Sequence, residues 1–234
     1  NSEFTVTELD RKLYVLGGYP AGRVTVRTVQ IYDIASDTWR LGPPLPEPNN
    51  HGMSATLDGV IYLFGGQSDP GAAYVDSVFA FDPKLGQWAA RAKMPTKRSA
   101  GVAIPLDGKI YVAGGRPPRG FDFAAYDPKT DIWETLPNLP SQRNHIAGFA
   151  FGGKVYFAGG RLEGGFQSAK TAVMEAYDPK TKSWSVAAPM LKPLIGSLAS
   201  AARSSPSISI GARATSKIPS GLRTSREPSF DDDH

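Results

Sequence analysis

Short apolar runs recur along this chain, each closed by two glycines. Leu13-Tyr14-Val15-Leu16 leads into Gly17-Gly18, and Ile61-Tyr62-Leu63-Phe64 into Gly65-Gly66. Ile110-Tyr111-Val112-Ala113 leads into Gly114-Gly115, and Val155-Tyr156-Phe157-Ala158 into Gly159-Gly160. Runs this short, bounded by turn residues, read as strands, and no helical period appears anywhere. The third run shows its surroundings most clearly. Residues 99–105 are small and apolar, and Asp107-Gly108 is a two-residue hairpin turn of the kind that needs positive φ. Residues 109–113 make a second strand, and a loop over 116–120 leads to a third at 121–126. The turn 127–131, opened by Asp127-Pro128, precedes a fourth strand at 132–135. The first turn recurs as Asp10-Arg11, Asp58-Gly59 and Gly152-Gly153.

A second marker keeps the same period. Trp39, Trp88, Trp133 and Trp184 each follow an aromatic by seven residues, namely Tyr32, Phe81, Tyr126 and Tyr177. Each of those aromatics is followed directly by an aspartate: Asp33, Asp82, Asp127 and Asp178. The glycine pairs are spaced 48, 49 and 45 residues apart and the tryptophans 49, 45 and 51. One supersecondary unit of four antiparallel strands has therefore been copied four times. A lone four-stranded sheet cannot cover both of its apolar faces. Stacking the sheets around an axis covers them, and the expected fold is an all-β propeller of four four-stranded blades. The blades fall at about 1–45, 46–94, 95–140 and 141–190. Glycines and tryptophans then have structural roles: the glycines allow close backbone approach, and the indoles fill gaps between blades.

The four glycine-closed runs, the Tyr-Asp or Phe-Asp-Pro segments and the spaced tryptophans resemble the kelch signature over residues 4 to 190. That resemblance implies a β-propeller. It also implies, more loosely, a protein-binding module, with a minority of sugar-active enzymes among relatives. Four blades is the low end of the usual range of about 4–8. An incomplete or open propeller, or a second copy covering its ends, is the alternative to closure. Pro189-Met190 begins a fifth repeat and residues 196–202 still pass as its first strand, but no further marker follows. Residues 191–234 thus read as a degenerate partial repeat and a Ser/Arg/Pro-rich tail that is expected to be disordered.

Composition narrows the function. The chain has no cysteine, which removes disulfides, thiolate metal sites and cysteine nucleophiles. The net charge of +4 divides into +2 over residues 1–190 and +2 over 191–234, with no basic run bearing aromatics, so no nucleic-acid partner is expected. No stretch is apolar for long enough to span a bilayer, and no membrane partner is expected. Nothing in the chain indicates a compartment.

The alternation of strand direction puts the loops between second and third strands, and the crossings between blades, on one face. Those loops are longer and more varied, and are the expected binding face. Arg98 and Arg143 hold equivalent crossing positions with Asn49 as their counterpart, and all three are expected near the mouth of the channel. The same face should carry Arg116, Arg119 and Arg161 and the loop aromatics Tyr19, Tyr74 and Phe166. Arginine with aromatics suits an acidic peptide or protein partner, arginine through its bidentate geometry. His51 and His145 are also equivalent, but two histidines fall short of the three ligands of a catalytic zinc, so no metal or cofactor is expected. The expectation is a non-enzymatic scaffold for a protein or acidic peptide. The alternative is a sugar-active enzyme of the sialic-acid mutarotase or epimerase kind, with Arg98, Arg143, His145 and Glu163 supplying its groups.

Overall fold

The computed structural model describes residues 2–201 apart from 70, 72, 166 and 196–198. Four antiparallel four-stranded sheets follow one another along the chain. Blade 1 holds β1 (Thr5–Leu9), β2 (Lys12–Leu16), β3 (Val29–Asp33) and β4 (Thr38–Leu41). Blade 2 holds β5 (Met53–Leu57), β6 (Val60–Phe64), β7 (Val78–Asp82) and β8 (Gln87–Ala90). Blade 3 holds β9 (Val102–Leu106), β10 (Lys109–Ala113), β11 (Phe123–Asp127) and β12 (Ile132–Thr135). Blade 4 holds β13 (Ala147–Phe151), β14 (Lys154–Ala158), β15 (Met174–Asp178) and β16 (Ser183–Ala187). All the β1–β2-type hairpins close on two residues with positive φ: Asp10 and Arg11, Asp58 and Gly59, Asp107 and Gly108, Gly152 and Gly153. Both central residues at positive φ is the geometry that matches strand twist.

The period of two along each second strand decides which blade each side chain serves. In β6, Ile61 and Leu63 pack with Tyr14, Leu16 and Ile31 of blade 1. Tyr62 and Phe64 face the other way, into a cluster with Ile110, Val112 and Tyr126 of blade 3. The third junction joins Tyr111, Ala113 and Phe123 to Val155, Phe157 and Tyr177 of blade 4. Each junction is closed by the later blade's tryptophan, whose Nε1 donates to a carbonyl of the crossing before it. Trp88 reaches Pro43 O at 3.2 Å, Trp133 reaches Ala92 O at 2.9 Å and Trp184 reaches Pro137 O at 3.0 Å.

The glycine pairs stitch consecutive blades through the backbone. Gly18 N donates to Asn49 O, Gly66 N to Arg98 O and Gly115 N to Arg143 O, all at 2.8–2.9 Å. A Cβ on Gly17 would lie 2.1 Å from Asn49 O, and one on Gly65 would lie 2.4 Å from Arg98 O. The first glycine of each pair is therefore required by the next blade's backbone as well as by its own positive φ. The pattern runs on past blade 4, where Gly160 N donates to Leu194 O at 2.8 Å.

Among the described residues, four sheets with three apolar junctions make an open arc. The fifth-repeat strand expected at 196–202 is described only as β17 (Ala199–Ala201), which pairs in parallel with β13 from Gly148↔Ala199 to Ala150↔Ala201. It extends the fourth sheet instead of starting a fifth. The tail beyond 201 lies outside the described residues.

Candidate functional site

The inner end of each blade is a crossing followed by a short turn before the first strand. Two positions matter there, four and two residues before that strand. Asn49, Arg98 and Arg143 hold the first position; Glu3, His51, Ala100 and His145 hold the second. All four residues of the second set have positive φ, between 51° and 59°. Their backbones form a chain of hydrogen bonds from blade to blade. His51 N donates to Glu3 O at 2.9 Å, Ala100 N to His51 O at 2.8 Å and His145 N to Ala100 O at 2.7 Å. Their left-handed backbone directs the second-position side chains inward and leaves the first-position side chains inside their own blades.

That geometry corrects the expected placement of Asn49, Arg98 and Arg143 at a channel mouth. Arg98 is 1% and Arg143 0% exposed, and Asn49 is buried too. Arg98 Nη1 donates to Val112 O and Asp122 O, each at 3.0 Å. Arg143 Nη1 donates to Gly159 O at 3.1 Å and Val173 O at 3.0 Å, and its Nη2 pairs with the buried carboxylate of Glu175. Asn49 Nδ2 reaches Gly65 O at 2.7 Å. Each side chain satisfies carbonyls where the second and third strands of its own blade part, groups that would be costly to bury unpaired. Burial pulls Arg98 down to about 10, and lowers Arg143 against the opposing pull of Glu175. Arg98 is still a cation at neutral pH.

The remaining candidates divide. Tyr19, Tyr74, His51, Arg116 and Arg119 are brought together around one cavity of about 790 Å³, joined by Arg23, Gln67 and Lys97. No carboxylate is among its described lining residues. Arg116 spans it, with Nη2 2.9 Å from His51 Nε2 and Nη1 donating to Gly164 O at 3.3 Å. Arg119 lies 3.8 Å from Asp122 and is exposed. Arg161 is instead buried, bridged through its backbone to Asn144 and Lys170. Phe166 lies outside the described residues.

Beside the cavity sits a cluster that sequence reading did not assemble. Glu3 Oε2 lies 3.0 Å from His51 Nε2 and 3.8 Å from His145 Nε2, and the two imidazoles meet edge to face at 5.4 Å. The third group thought missing beside the histidines is Glu3, from blade 1. Its signal was its place two residues before a first strand, the place that His51 and His145 also hold. The neighbouring His145, with Arg116 adding positive charge, holds Glu3 down at about 2, although partial burial opposes this. Burial, reinforced by Arg116 and opposed by Glu3, pushes His51 down to about 4. His51 is thus uncharged at neutral pH, and its contact with Glu3 is not an ion pair there.

Residues 3–209 match the family described as the KLHDC2/KLHL20/DRC7 Kelch-repeats domain. The chain belongs to the kelch-repeat family. Among curated kelch relatives, human Kelch-like protein 33 is 38% identical over 84 residues, which is 36% of this chain and 15% of that protein. Alpha-scruin of Limulus polyphemus is 29% identical over 83 residues, 33% of this chain and 9% of that protein. The F-box/kelch-repeat protein At4g39580 of Arabidopsis thaliana is 31% identical over 80 residues, 34% of this chain and 20% of that protein. The kelch chain thus aligns with a fifth or less of the length of each of these relatives. A solved structure titled "Structure of YjhT" superposes with a TM-score of 0.66 at 20% identity, covering 82% of this chain and 66% of that one. At that identity the likeness establishes the shared propeller fold.

Proposed function

We propose that this kelch arc is a binding scaffold that receives an acidic segment of a protein partner in the cavity between Tyr19, Tyr74, Arg116 and Arg119. The observation that carries this reading is the cavity's charge: Arg23, Lys97, Arg116 and Arg119 line it with no described carboxylate among them. Such a surface attracts anions and suppresses cationic partners. Tyr74, partly exposed, adds amphipathic contact area of the kind common at interface hot spots, and Tyr19 is buried at the cavity wall. Tyr19 is held rigid by its hydroxyl, which donates to Asn50 Oδ1 at 2.8 Å.

The cavity, not the buried arginines, is the recognition element. Sugar chemistry anchored on Arg98 and Arg143 would need other carboxylate binders, because both guanidiniums are committed to carbonyls. A fluorescein-labelled Glu-rich dodecapeptide tests the reading by fluorescence anisotropy. The double variant K97E/R119E should weaken binding at least tenfold, and rising salt should weaken it in the parent protein. D58N, on the opposite face, should leave affinity unchanged. No binding by the parent, or equal binding by K97E/R119E, overturns the proposal.

A further inference from the structure

Glu3, His51 and His145 come from three blades and present three ligand-type atoms within 4.8 Å of one another. Both rings are oriented by an asparagine immediately before them. His51 Nδ1 lies 2.6 Å from Asn50 Oδ1, and His145 Nδ1 lies 2.6 Å from Asn144 Oδ1. The amides cannot be turned over. Asn50 Nδ2 donates to Thr25 Oγ1 and to Gln67 O, both at 2.9 Å. Asn144 Nδ2 donates to Glu163 O at 2.9 Å and Arg161 O at 3.3 Å. Each Oδ1 is therefore an acceptor, each Nδ1 is the donor, and each ring has only Nε2 left for the centre. An outer amide or carboxylate that holds one ring nitrogen and aims the other is the usual support of a metal-binding histidine.

We propose that Glu3, His51 and His145 form a site for one divalent transition-metal ion, with Zn²⁺ and Co²⁺ as the ions that suit two imidazoles and a carboxylate. Tetrahedral bonds of about 2.1 Å put ligand atoms roughly 3.4 Å apart. The observed 3.0 Å and 3.8 Å lie on either side of that value. The chain of backbone hydrogen bonds from Glu3 through His51 and Ala100 to His145 holds the three α-carbons in place, so little reorganisation is needed. His51 also lines the cavity, which gives the site its connection to solvent.

Arg116 opposes the ion most directly, with Arg161 adding positive charge near His51. The Arg116 guanidinium donates to His51 Nε2 at 2.9 Å and brings a like charge to the site. It must turn aside on binding, and its second contact, to Gly164 O, lies away from the centre. Arg116 thus sets the affinity, and its removal should raise it. The site does not depend on the acidic-partner reading, and either can fail without the other.

The test is titration of the metal-free full chain with Co²⁺, followed by its visible d–d absorption, and then displacement with Zn²⁺. One Co²⁺ per chain with the intense bands of a low-coordinate ion is expected. E3Q and H145Q should each weaken binding at least tenfold, N144L should weaken it about 10- to 100-fold, and R116M should tighten it. Every variant carries the same Asp231-Asp232-Asp233-His234 terminus, so differences between variants report on the cluster alone. Melting curves confirm that each variant is folded. No Co²⁺ spectrum in both the parent and R116M overturns the proposal, as does equal affinity in the parent, E3Q and H145Q.

Discussion

Tyr126 and Tyr177 occupy the same place in consecutive blades and both are buried, yet their hydroxyls fare differently. Tyr126 Oη donates at 2.6 Å to Asp131, which lies five residues later at positive φ. Tyr32 does the same with Asp37, also at 2.6 Å. In blade 4 the residue five places on is Lys182, whose ammonium turns instead to Glu134 at 2.8 Å, and Tyr177 Oη is left buried without a hydrogen-bond partner among the described residues. Asp131 is also the acceptor for Ala92 N at 2.9 Å, so it ties blade 3 to the crossing before it. The Tyr126 hydroxyl holds Asp131 below the ordinary carboxylate range. Removing the two hydroxyls should then have unequal effects. Y126F should cost about 1 kcal/mol, the net value of a made hydrogen bond, while Y177F should be neutral or slightly stabilising. Urea midpoints at constant slope measure both. Equal losses would mean that Tyr177 Oη finds a partner in solution.

At the scale of the element, the crossing between blades carries most of the specificity of the fold. Its carbonyl at Asn49, Arg98 or Arg143 receives the preceding blade's second glycine, and its side chain caps carbonyls of the blade it opens. Blade 4 adds a carboxylate, Glu175, where blade 3 has Ala124 at the matching position of its third strand. Breaking a buried pair from one side leaves the other charge stranded. R143M should therefore cost about 3–5 kcal/mol, and R143M/E175M should recover only part of that loss, because Gly159 O stays uncapped. A double-mutant cycle in urea gives the coupling, and R143M without loss of stability would show that the pair is not buried in solution. The blades themselves were legible because strand period, glycine pairs and tryptophans repeat in register. The direction of a crossing side chain was not. Whether Arg143 points to the channel or into its blade depends on the left-handed backbone at His145 and on carbonyls of Gly159 and Val173 in other elements. Nothing adjacent in sequence encodes that. Glu3 was hidden for a related reason: it becomes a counterpart of the histidines only once the first strand of blade 1 is aligned with the others.

At the scale of the molecule, the four sheets and three junctions among the described residues leave one copy of each junction half without a partner there. Trp88, Trp133 and Trp184 are half-buried against the preceding blade, but Trp39 has no preceding blade among the described residues and is 59% exposed. Ile34 and Leu41 are exposed with it in blade 1. At the other end Phe149 and Tyr156 stack at 4.9 Å on the face of blade 4 turned away from blade 3. The same tryptophan substitution should thus have unequal consequences in two blades. W133A removes an indole packed 5.8 Å from Phe64 and hydrogen-bonded to Ala92 O, and should cost about 3 kcal/mol. W39A removes an indole that is mostly in water and should stay within about 0.5 kcal/mol of the parent. The comparison reads directly on closure. If W39A destabilises as much as W133A, and the loss grows with protein concentration, the face of blade 1 is covered by a second copy. If the loss is equal but independent of concentration, the arc closes on itself through its own terminal face. A small effect of W39A beside a large one of W133A is the signature of an arc whose first face stays open.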